Sequence, residues 1–274
     1  MGEIWHIFLF QPLFNSLILF YRIFGNLGVS IVILTILIRV ILVPLTIPSM
    51  KAAKKMTELA PEIAKLKERY KDDKQKFAQA QVELYRQHGA NPVAGCLPQI
   101  VQLLILIALY QAFSNVLLPG GAVSVEKLNQ NLYPFLYLPM DTRLNLSFWY
   151  LNLSKPDLIH LSGLPALPGL FLILAAVTQF LSSKMMAPAV KISKEEASKT
   201  KGEADDLAVA MQSQMLYLFP LMTILIGLTF PSGLVLYWFV FSASTMIQQY
   251  FITGWGGLEP WIEKIPFGKN GEKK

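Results

Sequence analysis

Five long apolar stretches constrain this chain more than any other feature of its sequence. A helix needs about 20 apolar residues to cross the ~30 Å hydrocarbon core of a bilayer. Stretches of this kind occur at residues 28–48, 97–118, 166–183, 214–230 and 233–252. The last two are separated only by a Pro-Ser-Gly break, which predicts an antiparallel helical hairpin. The sequence therefore predicts an all-α polytopic membrane protein with a core of five transmembrane helices.

Composition supports a membrane protein and argues against several other classes. Of the 274 residues, 53% are hydrophobic and 15% are charged, whereas a soluble domain has about 25% charged residues. The single cysteine, Cys96, excludes an intramolecular disulfide and a cysteine-rich metal site. The three histidines are far apart, no Walker-type or HExxH motif occurs, and the apolar stretches contain no Asp or Glu. We therefore predict a protein that is not an enzyme and that binds no metal or cofactor.

Basic residues divide unequally between the segments that flank the apolar stretches. Ten Lys and Arg residues lie in segment 49–96, five in 184–213 and four in the tail 253–274, whereas 1–27 holds one and 119–165 holds three. Cytoplasmic segments of membrane proteins carry the excess of Lys and Arg. This rule predicts a cytoplasmic C-terminus and an N-terminus outside, on opposite sides as five spans require. Because topology accounts for the net charge of +6, nucleic-acid binding becomes a minor alternative.

The apolar N-terminal segment could form a sixth span or a helix in the membrane interface. Pro12 is tolerated in the first turn of a helix that begins near Gln11. From there, Gln11, Asn15 and Arg22 form a narrow polar stripe, which favours a short helix lying in the interface. We therefore predict that residues 1–27 are an amphipathic interfacial helix, with a spanning anchor as the alternative.

The cytoplasmic segment 51–89 has the pattern of a helical hairpin. Apolar residues recur at helical spacing in two runs, Leu59, Ile63, Leu66 and Tyr70, then Phe77, Ala80, Leu84 and His88. Asp72 and Gln75 resemble a capping box at the start of the second helix, and Gly89 is a good C-terminal stop. The pattern predicts two packed helices, which form either a solvated hairpin or a docking surface for an emerging chain or a partner.

The remaining segments outside the apolar stretches have distinct compositions. The cytoplasmic loop 184–213 is rich in Lys, Glu and Ser and is predicted to be flexible. The outer segment 119–165 carries four aromatic residues that suit an interfacial belt, Tyr133, Tyr137, Trp149 and Tyr150.

Arg39 lies in the middle of the first apolar stretch. A charge at that depth costs about 2.5–3.5 kcal/mol on insertion scales, and it marks a functional site by default. The alternative is a structural arginine bonded to helix carbonyls or lipid. Polar residues at helical spacing could surround it: Thr35, then Gln99, Gln102 and Tyr110, then Gln179, Ser182 and Ser183, then Trp238, Ser242, Thr245 and Gln249. Each stripe alone fits ordinary interhelical hydrogen bonding, but together they predict a hydrated cavity in the inner half of the bilayer.

Three segments carry specific sequence motifs. They are QPLFNSLILFYRIFGNLGVSIVILTILIRVILVPLT (11–46), NPVAGCLPQIVQ (91–102) and FPSGLVLYWFVFSASTMIQQ (230–249). The first places an arginine in the middle of the first core span, and the last contains the FPSGLVLY hairpin turn. In order and spacing the three segments resemble the YidC family of bacterial membrane insertases, within the YidC/Oxa/Alb superfamily. The resemblance covers the chain from about residue 11 and implies a minimal core, without the large extracytoplasmic domain of many Gram-negative members.

The resemblance implies a protein of the bacterial cytoplasmic membrane that inserts and helps to fold new membrane proteins without ATP hydrolysis. It implies a groove open to the cytoplasm and to lipid, with Arg39 as the groove arginine, Thr35 one turn away and Trp238 as a substrate-contacting aromatic residue. The predicted substrate-binding groove comprises Arg39, Thr35, Gln99, Gln102, Gln179, Trp238, Ser242 and Thr245. The implied partners are nascent membrane proteins and the lipid bilayer, with the Sec translocon and the ribosome as further candidates.

Two other functions use similar residues. A small-solute transporter or channel also has polar intramembrane residues, but it opens on both sides and often contains repeats, which this sequence lacks. A chaperone that folds polytopic proteins beside the Sec channel is compatible with the same groove. Insertion by the purified protein alone separates an insertase from a chaperone, and solute flux reveals a transporter.

Overall fold

The computed structural model of this chain describes residues 2–70, 73–89, 97–116, 125–160, 162–163, 165–186 and 216–262. These residues are mostly helical. In chain order the helices are α1 (Gly2–Trp5), α2 (Gln11–Phe24), α3 (Leu27–Glu58), α4 (Ala60–Arg69), α5 (Lys74–Gln87), α6 (Leu97–Val116), α7 (Val125–Asn129), α8 (Leu170–Met186), α9 (Leu216–Gly227), α10 (Ser232–Thr253) and α11 (Glu259–Ile262). Four two-residue strands form two antiparallel hairpins, β1 (Ser147–Phe148) with β2 (Leu151–Asn152) and β3 (Leu158–Ile159) with β4 (Leu167–Pro168).

The chain divides into two compact units. The first comprises residues 1–42, 99–178 and 221–244, and the second comprises 43–98, 179–220 and 245–274. Helices α3, α8 and α10 each contribute residues to both units. The core of the first unit is a cluster of buried apolar side chains from α2, α3, α6, α8 and α10, including Leu17, Leu34, Ile105, Leu172 and Leu236.

Among the residues that the structure describes, two helical segments are long and apolar enough to cross a membrane, judged by length and composition. They are Glu3–Phe24 and Leu27–Met56, whereas Ile100–Ala112, Leu170–Met186 and Leu216–Gly227 are shorter apolar helices. The predicted five-span count therefore stays a prediction. The first segment has the length of a span, so the choice between an interfacial and a spanning N-terminal helix also stays open.

The N-terminal helical segment starts earlier than the sequence predicts. Helix begins at Gly2 rather than near Gln11, and a π-helical turn, His6–Phe10, precedes α2. Pro12 lacks an N–H donor and crowds the carbonyl one turn earlier, and the wider π turn accommodates this misfit. Helix α2 ends at Gly25, whose φ of +66° is the left-handed conformation common at helix C-termini.

The predicted polar stripe of this helix contacts protein. Asn15 is buried and donates to the carbonyls of Gln11 and Asn131. Arg22 donates to the carbonyls of Phe135 and Tyr137, both at 2.8 Å. These two residues of the stripe thus bind other backbone groups of the first unit.

Helix α3 extends beyond the predicted first span. The span was predicted to end at residue 48, but the helix continues to Glu58 through two internal prolines, Pro44 and Pro48. Each proline removes one backbone hydrogen bond, and nearby Thr46 donates its hydroxyl to the Val43 carbonyl at 3.1 Å. Residues 51–58 therefore belong to α3 and not to the predicted hairpin.

The segment of the predicted hairpin 51–89 contains two short helices, α4 and α5, within narrower bounds. Helices α4 and α5 contact each other, and Asp73 caps α5 by accepting a hydrogen bond from the Lys76 N–H at 3.0 Å. The predicted cap, Asp72, is wrong by one residue, because Asp73 is the N-cap, with a non-helical backbone and a side chain that accepts from the Lys76 N–H. Gly89 ends the hairpin with a φ of +60° and confirms the predicted stop.

The other predicted boundaries differ by a few residues. The third span was predicted at 166–183, but α8 begins at Leu170, because residues 167–168 pair with β3 instead. Helix α8 continues to Met186, so residues 184–186 of the predicted flexible loop 184–213 are helical, and residues 187–213 lie outside the described chain. Helix α10 begins at Ser232 and ends at Thr253, close to the predicted fifth span. The tail contains a 3-10 turn at Gly256–Leu258 followed by α11.

Candidate functional site

Arg39 is a buried cation in the first unit. Its side chain is 5% exposed, and its neighbours along α3 include the buried apolar residues Leu34 and Ile38. The guanidinium carbon lies 4.6 Å from the centroid of the Phe241 ring, which belongs to α10. A cation over the face of an aromatic ring is attracted to its negative quadrupole, by about 2 kcal/mol where both are desolvated. Phe241 therefore offsets part of the cost of burying this charge.

A buried tyrosine connects α10 to α6 in the same unit. Tyr237 is completely buried, and its hydroxyl donates to the Gln102 side-chain oxygen at 3.2 Å. The Tyr237 ring also lies 6.0 Å from the Phe241 ring, one helical turn along α10. Helices α3, α6 and α10 therefore meet at a cluster formed by Arg39, Gln102, Tyr237 and Phe241, which we name the arginine cluster.

Two of the eight predicted groove residues belong to the arginine cluster, and two more are buried near it along the same helices. Thr35 is buried one turn before Arg39 and donates its hydroxyl to the Ile31 carbonyl at 2.6 Å. Ser242 is buried next to Phe241, and Trp238 is half-buried next to Tyr237. The first unit thus contains five predicted residues whose side chains the structure describes, listed as Arg39, Thr35, Gln102, Trp238 and Ser242.

The placement of the other three predicted residues in a groove with Arg39 stays a prediction. Gln179 and Thr245 belong to the second unit, where both are half-buried. Gln99 lies in the first turns of α6, and its side chain lies outside the described part. The predicted hydration of the site also stays a prediction, because Arg39, Thr35, Gln102 and Ser242 are all buried.

The sequence pattern missed Tyr237 and Phe241, each one residue before a residue that it selected. The predicted stripe ran through Trp238 and Ser242, but the side chains that contact Arg39 and Gln102 are their neighbours. One signal was available: a tyrosine in an apolar helix needs a partner for its hydroxyl. Tyr237 and Phe241 are also four residues apart, so they share a face of α10.

Two hydrogen bonds in the described part of the second unit connect helices. Ser182 of α8 donates to the Gln249 side-chain oxygen at 2.7 Å, and both residues are buried. The next residue back on α10, Gln248, donates to the Thr46 hydroxyl of α3, also at 2.7 Å. Ser182 and Gln249 are polar residues that the sequence analysis had selected, and here they serve interhelical hydrogen bonding.

Comparison with known proteins identifies the family. The model of the 60Kd inner membrane protein family matches residues 19–256, which is most of the chain. The membrane protein insertase YidC of Fusobacterium nucleatum is 36% identical over 228 residues, which cover 83% of this chain and 86% of the relative. The chain belongs to the YidC family. Membership makes it a predominantly helical protein of the inner membrane.

Other YidC relatives are much longer than this chain. The membrane protein insertase YidC of Pelobacter propionicus is 35% identical over 250 residues, covering 90% of this chain but 39% of the relative. The membrane protein insertase YidC of Geobacter sulfurreducens is 33% identical over 248 residues, which cover 90% of this chain and 38% of the relative. The chain thus spans about two fifths of the length of these two YidC proteins.

In this YidC-family chain, the segment between α7 and α8 binds the start of three helices. The Leu27 N–H of α3 donates to the Asn145 carbonyl at 3.1 Å, and Asn26 donates to the Ser147 carbonyl at 2.7 Å. At the start of α10, the Ser232 N–H donates to the Lys155 carbonyl at 2.7 Å. Helix N-termini have four N–H groups without helical partners, and this segment supplies acceptors for them.

The start of α8 is held by a side-chain network in the same segment. Asp157 is buried and accepts hydrogen bonds from the Leu172 N–H and the Tyr150 hydroxyl, both at 2.9 Å. The Tyr150 oxygen in turn accepts from the Phe171 N–H at 3.2 Å. Partial burial raises the pKa of the Tyr150 phenol, so its hydroxyl remains protonated and able to donate to Asp157. The starts of α3, α8 and α10 therefore share one connecting segment.

Proposed function

We propose that this chain is a membrane protein insertase that contacts incoming membrane proteins through Arg39 and the polar groups around it. The observation that carries the proposal is the buried guanidinium of Arg39 over Phe241, next to the Tyr237–Gln102 hydrogen bond. A charge in the apolar part of a membrane protein is costly and is retained mainly where function uses it. The YidC relatives, each named membrane protein insertase, support the same activity.

The physical problem of insertion suggests a role for Arg39. A new membrane protein must move a polar terminus or loop across hydrocarbon, where each unpaired polar group is costly. A polar surface inside the bilayer lowers this barrier, and a buried cation attracts acidic groups of the moving segment. The apolar helix of the substrate then partitions into lipid, which contributes about 0.8 kcal/mol per buried CH₂. Because partition drives release, the proposed cycle requires no ATP hydrolysis by this chain.

The structure adds a requirement to this proposal. Arg39 is 5% exposed, so a substrate carboxylate can reach its guanidinium only after neighbouring side chains move. Phe241 is the neighbour whose contact with Arg39 is defined, and an acidic group of the substrate would compete with its ring for the cation. Of the predicted groove, we place this exchange at the residues of the first unit, which are Arg39, Thr35, Gln99, Gln102, Trp238 and Ser242.

The test of Arg39 is insertion by the purified chain in sealed vesicles. Two matched single-span substrates are used, one with acidic residues in its translocated segment and one in which these are neutral. Arg39→Ala should reduce insertion of the acidic substrate by about tenfold to a hundredfold, since hydrogen bonds to charged groups contribute ~1.5–3 kcal/mol. Arg39→Lys should retain much of the activity. Arg143→Ala, which removes an exposed arginine, is the matched control.

The outcomes separate the proposed role from its alternatives. Equal losses for the two substrates, after normalisation to folded protein, would assign Arg39 a structural role. Insertion that requires an added Sec translocon would favour a chaperone. Flux of small solutes across the same vesicles would favour a transporter or channel.

We also propose that the N-terminus lies outside and the C-terminus in the cytoplasm, as the distribution of Lys and Arg suggests. Single cysteines at Lys155 and at Ser198, in a Cys96→Ser background, should react with an impermeant thiol reagent from opposite sides of the membrane. Labelling of both from one side would contradict this topology.

The α4–α5 hairpin is the proposed docking surface for nascent chains and for the ribosome. The end of α5 lies near α3, which precedes the hairpin, since the Lys55 side chain of α3 donates to the His88 carbonyl at 3.4 Å. Residues 60–87 can therefore be replaced by a short Gly-Ser linker while α3 remains complete to Glu58. The variant should fold and enter the membrane but insert substrates more slowly. Insertion at the normal rate would identify the hairpin as a solvated structure without a docking role.

A further inference from the structure

The turn of the β1–β2 hairpin has an unusual conformation for its residues. The strands pair Ser147 with Asn152 and Phe148 with Leu151, so the loop consists of Trp149 and Tyr150 alone. Trp149 has a φ of +52°, and within the described chain it is the single residue other than glycine with a positive φ. A positive φ at the first loop residue is the pattern of a type II′ turn, where glycine is preferred. A tryptophan at this position is strained, which points to a use for its side chain.

The indole of Trp149 is presented at the end of a helix. Its side chain is 77% exposed, although its ring packs edge-on against Phe171 with centroids 6.0 Å apart. Phe171 is the second residue of α8, and Tyr150 binds the same residue through its backbone N–H. The turn is therefore fixed at the level of the first turn of α8.

The exposed indole continues the apolar outer face of α8. Three exposed apolar residues, Leu170, Ile173 and Val177, recur along α8 at spacings of three and four. In a protein of the inner membrane, such a stripe on an apolar helix faces lipid. The stripe begins at Leu170, next to Phe171, against which Trp149 packs. The turn thus lies where the lipid-facing surface of α8 meets the end of the helix.

The chemistry of the turn fits the boundary between hydrocarbon and headgroups. Residues 144–154 contain no charged side chain, and Trp and Tyr combine a large apolar ring with one polar hydrogen-bonding group. Such side chains are enriched at membrane–water interfaces because the ring can enter the acyl region while the polar group contacts headgroups.

We propose that the β1–β2 turn is a membrane anchor, in which the Trp149 indole inserts between lipids at the interface beside α8. Because the same segment binds the first turns of α3, α8 and α10, the anchor sets the depth at which these three helices begin. The proposal rests on the membrane location of the chain and is independent of insertase activity.

The first test measures the depth of Trp149 by fluorescence. The full chain is reconstituted in phosphatidylcholine–phosphatidylglycerol vesicles that contain lipids brominated either near the headgroup or deep in the acyl chain. The spectrum of Trp149→Phe is subtracted from that of the wild type, so that the other four tryptophans cancel. Shallow bromines should quench the difference signal more than deep bromines, and iodide in the water should quench it little. Strong quenching by iodide without quenching by either lipid would overturn the proposal.

A second variant keeps the proposal testable if Trp149→Phe alters the fold. Cysteine replaces Trp149, or the charged and exposed Lys155 as a control, in a Cys96→Ser background, and carries a polarity-sensitive fluorophore. The label at 149 should emit at shorter wavelength than the label at 155, whatever the protein-to-lipid ratio. Equal emission from both sites would overturn the anchor. A blue shift that disappears on dilution with lipid would also overturn the anchor. Such a result would show that a second copy of the chain, and not lipid, covers the label at 149.

Discussion

The guanidinium carbon of Arg39 lies 4.6 Å from the centre of the Phe241 ring, which connects α3 to α10 inside the first unit. The contact explains how an arginine is tolerated among apolar helices. A ring face attracts the cation without requiring a counter-charge of its own.

Removing the aromatic face should destabilise the chain while leaving it folded. We expect Phe241→Leu to lower the free energy of unfolding in detergent by about 1–2 kcal/mol, since Arg39 is buried and Phe241 is half-buried. The same substitution in an Arg39→Met background should cost less, because no cation remains to lose. Equal costs in the two backgrounds, measured by a double-mutant cycle, would show that packing alone accounts for Phe241.

The Tyr237–Gln102 bond offers a second test of the cluster. Tyr237→Phe removes the hydroxyl that the buried Gln102 oxygen accepts, which should cost about 1–3 kcal/mol. Adding Gln102→Leu should recover part of that loss, because no buried acceptor is then left unpaired. Thermal unfolding of the two single variants and the double variant measures this. A double variant less stable than both single variants would contradict this account.

Gly169 is predicted to be intolerant of a side chain. A methyl group at this position would collide with the Asp157 carboxylate, whose oxygens accept from Tyr150 and from the Leu172 N–H. Gly169→Ala should therefore destabilise the chain by about 1–3 kcal/mol, the usual cost of overpacking. In an Asp157→Ala background the same change should cost much less. If Gly169→Ala costs the same in both backgrounds, the collision is not with Asp157.

The start of α5 should depend on pH. The backbone N–H of Lys76 binds the Asp73 carboxylate and lowers its pKa below the ordinary value of 3.8, with the Lys76 side chain adding to the effect. A lowered pKa in the folded state stabilises the helix above pH 3.8, and this stabilisation is lost as pH falls through the lowered value. Hydrogen exchange of the first turn of α5 should therefore increase in this range relative to Asp73→Asn. Asparagine still caps the helix but does not titrate. An identical pH response of the two proteins would contradict the assignment.

The boundaries of the helices show which features local sequence patterns predict and which they do not. Periodicity and a glycine stop predicted the α4–α5 hairpin, because amphipathic spacing and φ at Gly89 are local properties. The same reasoning ended the first span at residue 48 and started the third at 166. Helix α3 instead continues through Pro44 and Pro48, and α8 starts only after β4 has paired with β3. Pairing partners and neighbouring helices set these ends.

The sequence by itself determined that the chain is helical and membrane-embedded, and that Arg39 is its exceptional residue, because hydropathy and charge are properties of each residue alone. The tertiary structure decided which side chains surround that arginine. A polar stripe on one helix does not define which face of that helix packs against its neighbours. The sequence therefore could not tell whether Tyr237 and Phe241, or Trp238 and Ser242, lie beside Arg39. Likewise, the pairing of β1 with β2 imposes the positive φ of Trp149. A tryptophan by itself does not favour this backbone conformation.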